Sequence, residues 1–195
     1  MKGLELSRKY YETCGKPMLK EQFPDLFDVI AVGLFGSGSE CYGYDDDLSQ
    51  DHDFEPGFCI FLPCEDIVSE ERAFALSKAY NKLPKEFEGY QRSLFLPAEG
   101  SRHGVFRLSE YLDEKIGVSS AGLSLSDWFT IPEYLFSELT NGEIFHDPSR
   151  LLIDAREKLS ELPTDVWKKK MAWYLKRTPS LLGRVLRVSL TVSGA

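Results

Sequence analysis

Asp28-Val-Ile-Ala-Val-Gly-Leu-Phe35, running directly into Gly36-Ser-Gly-Ser39, is the stretch on which the reading of the fold turns. The run is short, apolar and rich in β-branched residues, and it stops at a turn of small residues. That is the pattern of a buried strand feeding a tight turn. An acidic loop follows from Tyr44 to Asp53, and then a second apolar run, Gly57-Phe-Cys-Ile-Phe-Leu62, is halted by Pro63. It predicts a second buried strand.

Working outward, the first fifteen residues have helical spacing, as do Lys20 to Phe27 around the interruption at Pro24. Ile67, Phe74, Leu76 and Tyr80 stand among charges between residues 65 and 83, which predicts an amphipathic helix ended by Pro84. Ser93-Leu-Phe-Leu96 and Gly104-Val-Phe-Arg-Leu108 read as further short strands. From Thr130 onward the chain reads as helical, the segment Gly142 to Asp147 included. Thr130-Ile-Pro-Glu133 has the form of a capping box, and Asn141-Gly142 that of a helix stop. Asp147-Pro148 begins another helix, running to about Leu162, and Pro163-Thr164 a third around Trp167 and Trp173. The last twenty residues lose amphipathicity and read as a poorly ordered end. The fold class that results is α/β (α+β): a small mixed sheet with flanking helices over residues 1–125, then a helical C-terminal part over 126–195 packed on it as one unit.

At 195 residues, 43% hydrophobic and 13% aromatic, the chain can bury one sizeable core. Twenty-three Lys and Arg oppose 31 Asp and Glu, a net charge of -8, so a long nucleic acid is not an expected partner. A nucleotide remains compatible, because a divalent cation at a carboxylate site inverts the local sign. Cys14, Cys41, Cys59 and Cys64 lack the spacing of a disulfide scaffold or a zinc site, so buried thiols in a reducing compartment are expected. No apolar run has the form of a signal peptide or a membrane span, and the expected location is the cytoplasm.

The candidate chemistry lies between Gly36 and Asp53. A turn without bulk at Gly36, Ser37, Gly38 and Ser39 lets backbone N–H groups and hydroxyls approach a phosphate. Asp51 and Asp53, if extended, project from one face with Cα atoms roughly 7 Å apart. Such a pair suits Mg²⁺, which takes carboxylates, water and substrate phosphates. A calcium loop starting at Asp45 fails, with Gln50 where glycine is needed and Pro56 where the closing Glu belongs.

A Gly38-Ser39 turn after a first strand, about a dozen residues, and then Asp51-His52-Asp53 entering the next strand resembles the signature of the DNA polymerase beta-like nucleotidyltransferase superfamily. Residues 31 to 62, with Ser49-Gln-Asp-His-Asp53 and Pro56-Gly-Phe-Cys59, are similar to an uncharacterised bacterial nucleotidyltransferase-like family within it. The resemblance implies the nucleotidyltransferase fold. It also implies a metal-dependent transfer of a nucleoside monophosphate from ATP or another nucleoside triphosphate to a small-molecule or protein acceptor, with release of pyrophosphate. Asp51 and Asp53 would be the catalytic metal ligands for one or two Mg²⁺ ions, and Gly36 to Ser39 the phosphate binders. His52, Arg102 and His103 are further candidates, the last two set against an exposed turn. Superfamily enzymes usually add a third carboxylate on a later strand. Gly104 to Leu108 has none, and Glu99 and Glu110 only flank it. The alternative is therefore a non-catalytic nucleotide-binding or protein-interaction module. His146 and Asp147 read as a helix cap, and Trp128, Trp167 and Trp173 as helix-packing residues.

Overall fold

The computed structural model describes residues 1–44, 55–92 and 103–176. Within these the chain divides into two units, one of Met1–Gly122 with Pro132–Ser160, the other of Leu123–Ile131 with the chain from Glu161 onward. Among the described residues no helix is long and apolar enough to cross a membrane.

The first unit is a mixed α/β structure. Residues 3 to 22 are continuously helical: α1 (Gly3–Tyr10), one π-helical stretch (Tyr11–Gly15) and α2 (Lys16–Gln22). The expected first strand is β1 (Ala31–Leu34), followed by the short α3 (Ser39–Tyr42). The second is β2 (Cys59–Leu62), and all four of its residues are buried, as are those of β1. The predicted amphipathic helix is α4 (Glu70–Asn81), started by Ser69, whose hydroxyl accepts from the Arg72 N–H. A two-residue hairpin, β3 (Glu86–Phe87) and β4 (Tyr90–Gln91), turns at Glu88 and Gly89, both with positive φ. Then come β5 (Gly104–Arg107), as expected, α5 (Leu108–Ile116), α7 (Glu133–Thr140), β6 (Glu143–His146) and α8 (Leu151–Ser160). Ahead of α7, in the second unit, lies α6 (Leu125–Thr130).

The sheet order is β5-β2-β1-β6, with β1 antiparallel to both β2 and β6 and β2 parallel to β5. Because side chains alternate along a strand, each strand serves two layers. Val32, Phe58, Ile60 and Leu62 join Tyr10, Tyr11, Leu19, Leu76 and Tyr80 in an apolar core under the N-terminal helices and α4. The opposite face carries an aromatic group: Phe35 stacks on Phe61 with centroids 5.0 Å apart, and Tyr111 of α5 meets Phe35, Phe61 and Phe106 edge-on or tilted. Buried Arg107 closes the far end of β5 by donating to Pro63 O, Val68 O and the Glu70 carboxylate.

Several expectations are corrected. Residues 143–146 form a strand, not a helix, and its Glu143 pairs with Arg8 of α1. Thr130 does not start a helix; its hydroxyl donates to the Ser126 and Asp127 carbonyls and so closes α6, while Pro132 precedes α7 without a side-chain cap. The capping box of the chain sits instead at Ser124 and Asp127, and its two hydrogen bonds hold the Asp127 carboxyl below the usual carboxylate range. Cys41 and Cys59 are buried, but Cys64 is exposed. In the second unit Trp128 is buried, whereas Trp167 and Trp173 are 53% and 51% exposed on a helix over residues 164–176. The Asn141-Gly142 stop and the Asp147 cap are as expected: Asp147 accepts from the N–H groups of Leu151, Leu152 and Ile153. The predicted strand at 93–96, the acidic loop from Asp45 and the poorly ordered end from residue 177 lie outside the described residues.

Candidate functional site

Antiparallel pairing of β1 with β2 and β6, and parallel pairing of β2 with β5, bring four chain segments to one edge of the sheet. These are Phe35-Gly36 after β1, Gly57-Phe58 before β2, His103 before β5 and Asn141-Gly142 before β6. The candidate turn Gly36–Ser39 is one of them. Gly36 has φ of 135°, a region that residues with a Cβ avoid, and open space lies where its side chain would be. Its backbone is nevertheless fixed. The Asn141 amide accepts from Gly36 N at 3.0 Å and donates to Gly36 O at 2.8 Å, so both polar groups of this one residue are satisfied by a side chain 105 positions away. The other end of the turn is tied by Gly142 N donating to Cys41 O at 3.0 Å. Gly38 is extended and opens α3, with no side-chain cap on that helix.

A second clamp holds the start of β2. The Tyr80 hydroxyl donates to Phe58 O at 2.7 Å and accepts from Phe58 N at 3.3 Å. Burial pushes the Tyr80 phenol well above the usual tyrosine range, so it stays protonated and able to donate. Arg92 lies over the Tyr80 ring, 4.3 Å from its centroid.

Between these clamps is a pair that sequence reasoning missed in part. His103 Nδ1 stands 3.2 Å from Glu55 Oε1, and the two side chains are only 8% and 7% exposed. His103 is thus no exposed turn residue. Gly57 makes the pairing possible: any Cβ at that position would collide with the imidazole ring. No local signal joins two residues 48 positions apart, but Glu55-Pro56-Gly57 ahead of an apolar run marks where a bulky neighbour is accommodated.

Asp51, His52, Asp53 and Arg102 lie outside the described residues. Among the described residues no three His, Cys, Asp or Glu side chains are grouped as a metal site. β5 itself carries no carboxylate, Glu99 is not described, and Glu110 is an exposed residue in the first turn of α5 beside Arg107. Asn141, Glu55, Gly57 and Tyr80 are the further residues that shape this edge.

Residues 128–188 match Domain of unknown function (DUF4037). That stretch includes Asn141, Gly142 and all of β6 and α8, and so part of the edge just described. No curated protein and no solved structure matches the chain.

Proposed function

We propose that the protein is a nucleotidyltransferase of the DNA polymerase beta-like kind, moving a nucleoside monophosphate from a nucleoside triphosphate to a small-molecule or protein acceptor. One observation carries the reading: the small-residue turn after β1 and the segment leading into β2 share a sheet edge, each fixed by a buried or half-buried side chain. In the proposed reaction the acceptor oxygen attacks the α-phosphorus, the bond to the β-phosphate breaks, and pyrophosphate leaves. Asp51 and Asp53 would hold Mg²⁺, which supplies charge neutralisation for the phosphate chain. The chain's own part is positioning. With Gly36 held by Asn141, the backbone N–H groups of Ser37–Ser39 are the donors left to offer, and a clamped turn spends no entropy on ordering at the moment of reaction.

A second reading rests on β5, whose residues Gly104–Arg107 include no acid. A protein without the third carboxylate would bind the nucleotide and not turn it over. Titration of ATP and the other triphosphates, with Mg²⁺ and with chelator, separates the readings when paired with an assay for pyrophosphate. Binding that needs Mg²⁺ and is lost in the Asp51→Asn, Asp53→Asn double variant is expected, together with pyrophosphate release. Binding without release favours the second reading, and no binding in any condition defeats both.

A further inference from the structure

Arg156 of α8 is a cation that forms no ion pair among the described residues. Its guanidinium carbon lies 4.6 Å from the centroid of the Phe35 ring. Nε and Nη2 are both sealed from solvent and neither donates a hydrogen bond among the described residues, although the residue as a whole is only half-buried. Burial lowers its pKa to about 10, which leaves it a cation at neutral pH. The groups near enough to offset that loss are Cys41, Tyr111 and Asp147. Two of these are neutral at pH 7 in their ordinary states. The third, a carboxylate, attracts the guanidinium from a distance, while its oxygens accept from three backbone N–H groups of α8 at 2.7 to 2.9 Å and not from Arg156.

An unmatched buried guanidinium is expensive. Removing a charged group from water is costly unless it is paired. The aromatic face of Phe35 returns only part of this. A methionine would fill the same space beside Phe35 and Tyr111 without the penalty. Packing alone therefore does not explain an arginine at 156.

Its location does suggest a use. Phe35 is the residue before Gly36, and Cys41 is in the second position after Ser39. The turn Gly36–Ser39 thus leaves from one neighbour of the guanidinium and returns to another. We infer that Arg156 supplies the positive charge that balances the phosphate chain of a nucleotide held at the Gly36–Ser39 turn. This rests on the reading of that turn as a phosphate site. In a water-poor setting such a charge acts on a nearby anion far more strongly than on the surface.

The test measures two properties of Arg156→Met, Arg156→Lys and the unaltered chain: the melting temperature without ligand, and the affinity for ATP with Mg²⁺. Arg156→Met is expected to melt no lower than the unaltered chain and to bind ATP 10- to 100-fold more weakly, the equivalent of one charged hydrogen bond. Arg156→Lys keeps the charge and is expected to keep most of the affinity. Equal affinity in Arg156→Met overturns the inference and leaves the phosphate reading of the turn standing. A lower melting temperature for ligand-free Arg156→Met makes the residue a structural one and overturns the inference as well. If the unaltered chain does not bind ATP, the turn is no phosphate site and both readings fall together.

Discussion

The two faces of the sheet are packed by different chemistry. Beneath the N-terminal helices and α4, the layer around Phe58, Ile60, Leu76 and Tyr80 is apolar almost throughout, and its polar atoms have partners: Tyr10 donates to Pro84 O and Tyr80 to Phe58 O. The Tyr11 hydroxyl is its exception among the described residues. On the other face Arg156 lies over Phe35, whose ring packs on Phe61 and Tyr111, and two guanidinium nitrogens go unmet among the described residues. A neutral hydroxyl without a partner costs about 1 to 3 kcal/mol, an unmatched charge more. The first face is built to hold the fold together. The second tolerates a defect that the fold does not need.

That contrast can be broken by substitution. Phe58→Ala empties the centre of the apolar face, where Tyr10, Tyr11 and Tyr80 all touch the ring. Urea denaturation should show a loss of about 3 to 5 kcal/mol; a loss near that expected of a surface residue would mean that this face is not the stabilising one. Next in size is Tyr80→Phe, which leaves the ring and removes the hydroxyl bonded to both polar groups of Phe58, whose carbonyl keeps its bond from Gly104 N. A loss of about 1 to 3 kcal/mol is expected, while Arg156→Met on the opposite face should show none.

The smallest effect is on pH dependence. Burial raises the phenols of Tyr10, Tyr11, Tyr80 and Tyr111 above the ordinary tyrosine value. For each, the folded state favours the protonated form. Its contribution is fully present below the unfolded pKa of about 10 and is lost as pH rises towards the folded value. Urea midpoints measured from pH 8 to 11 should therefore fall above about pH 10, less steeply in Tyr80→Phe. An unchanged slope in that variant would place the alkaline sensitivity with Tyr10, Tyr11 or Tyr111.

What could be read from the residues follows from how locally each signal is written. β1 and β2 are central strands, buried on both sides, so their apolar runs stand out against the flanking turns. β5 needed only Val105 and Phe106 after a glycine. β6 escaped because it is a half-buried edge strand whose two apolar residues sit between helix signals at Asn141-Gly142 and Asp147. α3 has four residues, too few for a periodic pattern. At the candidate edge, the glycine and serine turn was legible because its chemistry is contiguous. The side chain that secures it, Asn141, comes from far along the chain, as do Tyr80 on Phe58 and His103 on Glu55 elsewhere at this edge. Nothing local sets Arg156 apart, since Asp154, Glu157 and Lys158 surround it in sequence.

The distance between Gly36 and Asn141 also sets an order of events during synthesis. Until residues beyond 146 have left the ribosome, β1 has no partner on its second side and stands as an open strand edge, the kind that recruits other chains. The nascent protein must carry that edge through roughly a hundred further residues of translation, several seconds at about 5 to 20 residues per second. When β6 arrives it delivers Asn141 to Gly36 in the same movement. The half-buried strand that covers the fully buried β1 and the side chain that shapes the turn are thus released together, so a chain emerging from the ribosome gains its candidate site only when β1 is paired on both sides.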